Sequence, residues 1–152
     1  MGTSDTSPGY GIPHDIAAVA PPTITEAEAI AWLNGYKTAW EERDVDAVLA
    51  LFAPDARYRE RRFGEPLLGH ATLKSYFRDR VIEHQRDIEF SFTLWGVKDN
   101  ELMARWEASF TWLPINGIMH LEGVCNVVFG ERENGRLIGI EFNEWFDQIE
   151  IR

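Results

Sequence analysis

The carboxyl group of Glu60 is the strongest candidate for acid–base chemistry in this 152-residue chain. Residues 55–62 alternate with the two-residue period of a strand, which places Tyr58 and Glu60 on one face and arginines on the other. Because arginine side chains are more comfortable in water, the Glu60 face is expected to point inward. Burial raises the pKa of a carboxyl group toward the range of a general base that removes a proton beside a carbonyl. The alternative is a structural ion pair with one of four neighbours: Arg57, Arg59, Arg61 and Arg62.

Aromatic side chains are abundant enough to line a pocket as well as fill a core, since the chain has 6 Trp, 4 Tyr and 9 Phe. Tyr36 and Trp40 lie one helical turn apart and so share a face of a predicted helix. Ordinary core packing, with the tyrosine hydroxyl bonded to a backbone carbonyl, is the alternative for Tyr36. A partly empty aromatic pocket suits a flat, apolar ligand. We predict that the pocket is lined by Tyr36, Trp40, Phe52, Tyr58, Glu60, Phe63, Phe77 and Cys125.

Cys125 is the single cysteine, so the chain cannot form an intramolecular disulfide, and a reducing cytoplasm is the expected compartment. Its neighbours on the same strand face are apolar, among them Leu121 and Val127. A lone cysteine in such surroundings packs as a small hydrophobic residue far more often than it acts as a nucleophile. We therefore expect Cys125 to contribute to the wall of the pocket and not to the chemistry.

A second group of polar residues occupies the opposite strand face. His120 and Glu122 alternate with the apolar residues around Cys125, and Arg105 and Glu107 share one face of the preceding strand. If bulges turned this face inward, His120 with a carboxylate would form a base and its orienting partner. Cross-strand charge pairing on a solvated or dimer-forming face is the alternative that we favour.

Residue spacing indicates no metal or nucleotide site. No cysteine cluster is present, and the glycine-rich loops that cradle phosphates are absent from the sequence. The sequence therefore predicts a pocket that works without a metal or cofactor. Paired metal-ligand spacing is also missing among the four histidines, His14, His70, His84 and His120.

Helices come first among the elements that position these residues. A capping box that starts at Thr25 begins the first helix. Asp44 caps a second, short helix, and Pro54 ends it. Residues 1–24 are rich in Gly, Pro, Ser and Thr and are predicted to form a flexible tail, whereas residues 25–152 form one domain.

Strands dominate the rest of the chain. A strand at 55–62 and a third helix that begins near Gly69 precede four long strands separated by turn signals. This order, α-α-β-α-β-β-β-β, predicts an α+β fold in which three N-terminal helices pack on a curved, mostly antiparallel sheet that encloses a cone. The four long strands are predicted at 87–98, 101–113, 118–130 and 136–148.

The charge balance disfavours two classes of partner. The chain has 15 basic and 25 acidic residues and a formal net charge of −10. Such a protein repels phosphate backbones and anionic lipid headgroups, so nucleic acid and membrane surfaces are not expected partners. No apolar run approaches the roughly 18 residues of a membrane span, and the first residues lack a signal-peptide pattern.

Three local patterns, in this order of elements, resemble the nuclear transport factor 2-like (NTF2-like) superfamily and within it the SnoaL-like proteins. The resemblance covers about residues 26–150. It implies a cystatin-like cone and a small-molecule pocket. The patterns are an aromatic residue with D-x-x-A and L-F-x-x-D-A at 40–56, G-x-x-x-x-G at 64–69, and an acidic-aromatic closing segment at 144–146.

Ketosteroid isomerase-like members of this superfamily suggest roles for two residues. Glu60, five residues after Asp55, matches the position of their catalytic acid, and Tyr36, eight residues before Asp44, matches their oxyanion-stabilising tyrosine. Cys125 departs from the pattern, because those members carry a protonated acid there and a thiol is a weak donor. Steroid-type isomerisation is therefore not implied.

The function predicted is cofactor-independent acid–base chemistry on a small apolar substrate, of the isomerase, cyclase or hydrolase type, with Glu60 as base and Tyr36 as donor. The alternative is a ligand-binding or structural dimer without turnover, and a third class is a protein adaptor. Aromatic residues left on the outer face of the sheet favour a homodimer.

Overall fold

The computed structural model describes residues 21–60 and 64–151. In these ranges no helix is long and apolar enough to cross a membrane. The helices are α1 Glu26–Glu41, α2 Val45–Leu49 and α3 Gly69–Phe77, and a π-helical turn, Arg78–Ile82, follows α3. The strands are β1 Phe52–Arg59, β2 Leu67–Leu68, β3 Gln85–Lys98, β4 Glu101–Trp112, β5 Gly117–Phe129 and β6 Gly139–Ile151.

The capping box predicted at the start of α1 is confirmed. The Thr25 hydroxyl accepts a hydrogen bond of 3.1 Å from the Glu28 backbone N–H, and the Glu28 carboxylate accepts one of 3.0 Å from the Thr25 N–H. These bonds satisfy donors that have no partner within the helix. The preceding residue, Ile24, is buried and donates its N–H to the Asp99 carbonyl, which ties the start of α1 to the β3–β4 turn. Residues 1–20 of the predicted tail lie outside the described residues.

The six strands form one sheet in the order β2-β1-β6-β5-β4-β3. β1 runs parallel to β6, and all other neighbouring pairs are antiparallel. β3 to β6 therefore form the predicted meander. α1 packs against β3 and α3 against β1, which confirms the α+β fold with helices on one face of a mostly antiparallel sheet.

Two predicted boundaries in the first half of the chain are wrong. The second helix ends at Leu49 rather than at Pro54, and β1 begins at Phe52 rather than at residue 55. Pro54 lies inside β1, where the pairing with β6 shifts register between Phe52 and Arg57. A proline lacks the N–H that a regular ladder needs, and it is tolerated there because the ladder is interrupted at this register shift. In the sequence alone, the same proline reads as a helix stop.

The last strand also begins later than predicted, at Gly139 instead of residue 136. Glu133 and Arg136 exchange two backbone hydrogen bonds of 2.9 Å across a tight turn. Asn134 and Gly135, at its centre, have positive φ angles of 51° and 76°. Asn-Gly is the favoured pair for a two-residue turn with positive φ at both positions. This turn takes Arg136 out of β6.

Alternate residues of the long strands face the helices. β4 and β5 pair without a register shift from Glu101 opposite Val128 to Trp112 opposite Gly117. The two-residue period therefore holds along both strands, so each side chain has a defined face. The buried members of β4 are Leu102, Ala104, Trp106, Ala108 and Phe110.

Gly123 allows a close approach between β5 and β6. A Cβ atom at this position would overlap the Trp145 carbonyl oxygen and lie 2.7 Å from Phe146 Cβ. Trp106 and Phe146 flank Gly123 in register, and their ring centroids are 5.7 Å apart. The absence of a side chain at Gly123 thus lets two aromatic rings meet on the inner face of the sheet.

Candidate functional site

A cavity of about 170 Å³ lies between the inner face of the sheet, the end of α1 and the π-helical turn. A concave site with a mostly apolar wall and a few polar groups is typical of small-molecule binding. Its aromatic wall consists of Trp40, Trp106, Phe110, Trp112 and Phe146. Its polar groups come from Glu60, Tyr76, Arg80, Gln85, Glu144 and Gln148.

Glu60 follows the last residue of β1, and its side chain is 19% exposed. The Tyr76 hydroxyl of α3 donates a hydrogen bond to one carboxylate oxygen, and Arg80 Nη2 lies 3.9 Å from the other. Burial, followed by the charge of Glu60, raises the pKa of Tyr76 well above its usual value, so the tyrosine remains a hydrogen-bond donor. Glu60 thus lines the cavity and also faces an arginine. This arginine comes from the π-helical turn and is not one of the four neighbours along the chain.

Glu144, in β6, is the buried carboxyl group of the site. Only 3% of the residue is exposed, yet it lines the same cavity. The Tyr58 hydroxyl donates a hydrogen bond of 3.4 Å to Glu144 Oε1. Burial raises the pKa of Glu144 well above its usual value, and the charge of Glu60 raises it further. A carboxyl group in this environment holds its proton and can donate it.

Glu144 is the functional candidate that the sequence did not single out, although a signal for it was present. Phe142, Glu144 and Phe146 alternate on one strand face, so a carboxyl group stands between two aromatic side chains. This is the same pattern that marks Glu60 beside Tyr58. What the sequence cannot show is that β6 pairs with β1, which brings the two carboxyl groups to one cavity.

Tyr36 and Tyr58 form a buried pair next to Glu144. Their hydroxyl oxygens are 2.7 Å apart, and neither residue is more than 1% exposed. Burial, with the charge of Glu144, raises the pKa of both phenols well above their usual value. Tyr36 does not line the cavity, so its hydroxyl contacts Tyr58, and Tyr58 in turn contacts Glu144.

The π-helical turn brings Arg80 and Val81 to the cavity. Such turns are rare, and they occur frequently at functional sites because the extra residue redirects the side chains that follow. The Arg80 guanidinium also lies 5.8 Å from the centroid of the Tyr76 ring. Arg80, Tyr76 and Glu60 therefore form one contiguous polar edge of the cavity.

Trp40 lines the cavity, and its indole N–H donates a hydrogen bond of 3.0 Å to Gln85 Oε1. Trp106 is 1% exposed, and within the described residues its indole N–H has no hydrogen-bond partner. Both tryptophans line the cavity with aromatic surface, while the Trp40 N–H is bonded to Gln85 and the Trp106 N–H is sealed from solvent.

The remaining residues of the predicted pocket lie behind its wall. Phe52 packs edge-on against Trp32, with ring centroids 5.5 Å apart, and Phe77 packs in the same way against Trp40 at 5.8 Å. Both rings pack within the hydrophobic core and do not line the cavity. Phe63 lies outside the described residues.

Cys125 is fully buried in β5, opposite Ala104 on one side and Glu144 on the other. Burial raises the pKa of its thiol, so the sulfur stays protonated and unreactive at neutral pH. It does not line the cavity.

His120 and Glu122 lie on the outer face of the sheet, away from the cavity, because no bulge interrupts the β4–β5 pairing. Arg105 lies 2.7 Å from the Glu107 carboxylate and 3.2 Å from that of Glu122, and His120 lies 3.6 Å from Glu107. Ligand atoms of the histidine and the two glutamates are within 4.8 Å of one another, close enough to share a cation. Arg105 pairs with Glu107 on its own strand and with Glu122 on β5, and the second pair is the cross-strand charge pairing that the sequence favours.

Comparison with known folds places this architecture among several solved structures. A hexachlorocyclohexane dehydrochlorinase (LinA) Type2 has a TM-score of 0.67 and 9% identity, over 83% of this chain and 88% of that one. An NTF2-like protein of unknown function from Burkholderia pseudomallei has a TM-score of 0.63 and 21% identity, over 79% and 91%. A ketosteroid isomerase-like protein from Erwinia carotovora atroseptica has a TM-score of 0.61 and 15% identity, over 85% and 99%.

Sequence comparison supplies the family. At such low identities the solved structures establish only the fold. No curated protein matches the chain. The family model of the SnoaL-like domain, in contrast, matches residues 33–142, which span α1 to β6. The resemblance seen in the sequence is therefore confirmed, and the chain belongs to the SnoaL-like family of the NTF2-like superfamily.

Proposed function

We propose that the protein is a cofactor-independent acid–base enzyme that acts on a small, apolar molecule, by an isomerase, cyclase or hydrolase type of reaction. One observation carries the proposal: two carboxyl groups, Glu60 and Glu144, open onto one aromatic cavity but have different surroundings. Glu60 faces a guanidinium and accepts a hydrogen bond, whereas Glu144 is buried with its pKa raised. Environments that separate two carboxyl groups in this way assign one as base and the other as acid.

Glu60 is the base in this mechanism. Its carboxylate removes a proton from a substrate carbon that lies beside a carbonyl group, and the C–H electron pair moves toward the carbonyl oxygen. Glu144 stabilises that oxygen by donating a hydrogen bond or its proton, which gives an enol. In a substrate with a double bond next to the proton-losing carbon, return of the proton from Glu60 to the far end of the conjugated system, with the proton on the oxygen going back to Glu144, re-forms the carbonyl and completes an isomerisation. The aromatic wall excludes water from both steps.

Tyr36 and Tyr58 hold Glu144 in place rather than touch the substrate. The Tyr58 hydroxyl donates to Glu144 and shares a hydrogen bond with Tyr36. The donor role that the sequence suggests for Tyr36 therefore passes to Glu144 in this proposal. The dehydrochlorinase and the ketosteroid isomerase-like protein among the structural relatives support this class of function.

The test is solvent deuterium exchange at the carbon beside the carbonyl in a panel of small aryl ketones, followed by proton NMR. We expect the protein to accelerate exchange in at least one ketone, and Glu60→Gln to lower that rate by about 100-fold or more, the usual contribution of a general base. Glu89→Gln, which removes an exposed carboxylate from β3, serves as the matched control and should leave the rate unchanged. An equal rate in Glu60→Gln and the parent protein would remove Glu60 from the mechanism.

A second candidate function is ligand binding without turnover. The observation that favours it is the occupation of both Glu60 oxygens, one by Tyr76 and one by Arg80. Binding of a ketone in the cavity, seen by NMR, with no exchange above the buffer rate would support this function instead. The Arg80 contact is long, at 3.9 Å, so it leaves the carboxylate available to a substrate.

We also propose that the protein works as a homodimer formed through the outer face of the sheet. Trp145 and Ile149 are exposed on this face, and Trp95 is exposed at a register shift in β3. Exposed apolar side chains in such number are typical of an interface. The single cysteine supports a reducing, cytoplasmic location, which cell fractionation would test.

A further inference from the structure

Gln85 carries a hydrogen-bond donor that no side chain of the described protein uses. Gln85 is the first residue of β3, is 6% exposed and lines the cavity. Its carbonyl oxygen, Oε1, accepts the indole N–H of Trp40 at 3.0 Å. An indole can only donate, so the orientation of the carboxamide is fixed and its NH₂ group must point elsewhere. Within the described residues that NH₂ group has no partner.

The free NH₂ group of Gln85 keeps accessible surface in a residue that lines the cavity. Two unpaired side-chain polar atoms of the described residues are sealed from solvent, Arg59 Nε and Trp106 Nε1. The Gln85 nitrogen, also unpaired, is not among these sealed atoms, and the residue borders the cavity. A nearly buried donor without a partner is unfavourable, and proteins retain such groups where a ligand or ordered water completes them.

A second donor borders the same space. The Glu144 carboxyl group lines the cavity and holds its proton because burial raises its pKa, whereas the unpaired Trp106 indole N–H is sealed behind the wall. The Glu60 carboxylate and the net charge of −10 disfavour an anionic ligand. The cavity therefore suits a neutral molecule that is flat and apolar and carries an acceptor oxygen.

We propose that Gln85, fixed by Trp40, binds the acceptor oxygen of a neutral aromatic ligand and so determines which end of the ligand enters the cavity. Trp40 is the positioning residue, because its indole prevents the carboxamide from rotating by half a turn. This inference rests on the cavity of the proposed function as the ligand site, but it concerns binding and does not require turnover.

A pair of isosteric probes tests this role. Acetophenone and α-methylstyrene have nearly the same shape, but the first has a carbonyl oxygen where the second has a CH₂ group. We expect the parent protein to bind acetophenone about three- to tenfold more tightly in calorimetric titrations, as one neutral hydrogen bond allows. The ¹⁵N-detected side-chain amide signal of Gln85 should shift with acetophenone and not with α-methylstyrene.

Substitutions then assign the preference to Gln85. Gln85→Met removes the NH₂ donor at similar volume and should abolish the preference for acetophenone while it leaves the affinity for α-methylstyrene unchanged. Trp40→Phe frees the carboxamide to rotate and should reduce the preference. Glu89→Met is the control, because Glu89 lies on the same strand as Gln85 but is exposed and outside the cavity, and it should retain the full preference.

Three results would overturn the inference: equal affinity of the parent protein for the two probes, no measurable binding of acetophenone up to its solubility, or a preference that survives in Gln85→Met. If Gln85→Met does not fold, the Gln85 amide shift and the Trp40→Phe titration decide. The proposed function fails independently, since a preference with no deuterium exchange would leave the role of Gln85 intact. Catalysed exchange, together with an unchanged preference for acetophenone in Gln85→Met, would support the proposed function and overturn the role of Gln85.

Discussion

Glu144 occupies an interior position where desolvation and a neighbouring charge act in the same direction on its ionisation. Burial disfavours the carboxylate, and the Glu60 carboxylate across the cavity disfavours it further. The Tyr58 hydrogen bond opposes these effects, but it is long, at 3.4 Å. The folded protein therefore binds a proton at Glu144 over a pH range in which the unfolded chain has released it.

This difference makes stability depend on pH in a direction that can be worked out. The pKa of Glu144 is raised in the folded state, so its contribution is fully present below the unfolded value of about 4.5 and is lost as pH rises toward the raised value. Glu144→Gln is neutral at every pH and lacks this loss. We expect the variant to gain stability relative to the parent as pH rises above 4.5, by up to about 1.4 kcal/mol per pH unit.

Urea unfolding of both proteins between pH 5 and 8 measures this difference. Glu89→Gln, with the same chemical change at an exposed position, should give a curve parallel to that of the parent. Parallel curves for Glu144→Gln as well would show that Glu144 ionises normally, and the assignment of Glu144 as the acid would then be lost. Glu144→Gln should also fail to accelerate deuterium exchange. The variant would thus be more stable than the parent protein but inactive, which separates the catalytic role of Glu144 from its effect on stability.

At the scale of elements, the junction of β4, β5 and β6 shapes the cavity wall. Trp106, Gly123 and Phe146 lie side by side on these strands, and the rings of the two aromatic residues meet over the glycine. A side chain at Gly123 would collide with the β6 backbone at Trp145. The strands can then pair only by moving apart, which would also displace Phe146 from the cavity.

Gly123→Ala is therefore expected to destabilise the fold by about 1–3 kcal/mol, the usual cost of overpacking. Gly96→Ala is the matched control, because the β3 glycine has nothing within 4 Å of the added Cβ and no positive φ. That variant should be neutral or slightly more stable. Denaturant titrations compare the two, and equal stability of both alanine variants would contradict the close approach.

Local signals in the sequence predicted much of the fold and little of the site. The capping box at Thr25 and the turn signals between long strands are local, so both were readable without a structure. Pro54 led to a wrong helix boundary, because its place inside a strand depends on a register shift between β1 and the distant strand β6. The meeting of Glu60 with Glu144 depends on strands that are distant along the chain, and the redirection of Arg80 depends on a π-helical turn that no local signal marks.

At the scale of the molecule, the two faces of the sheet serve different purposes. The inner face holds the core and the cavity, while the outer face mixes exposed apolar residues with charges. Glu107, Glu122 and Asp147 lie opposite one another on β4, β5 and β6, and the one guanidinium of Arg105 pairs with the first two. Two such faces attract through apolar contact and repel through their net negative charge.

Dimerisation through the outer face should therefore strengthen with salt, because added ions screen the repulsion between chains of net charge −10. Light scattering after size-exclusion chromatography should give twice the chain mass at 0.5 M NaCl, with a larger dimer fraction than at 0.05 M. Trp145→Glu adds a charge to the interface and should give a folded monomer. Ile30→Glu makes a comparable change at an exposed position of α1, on the helical side, and should remain a dimer. A monomer mass for the parent protein at both salt concentrations would exclude the dimer and leave the exposed tryptophans of β3 and β6 as the docking surface of a different partner.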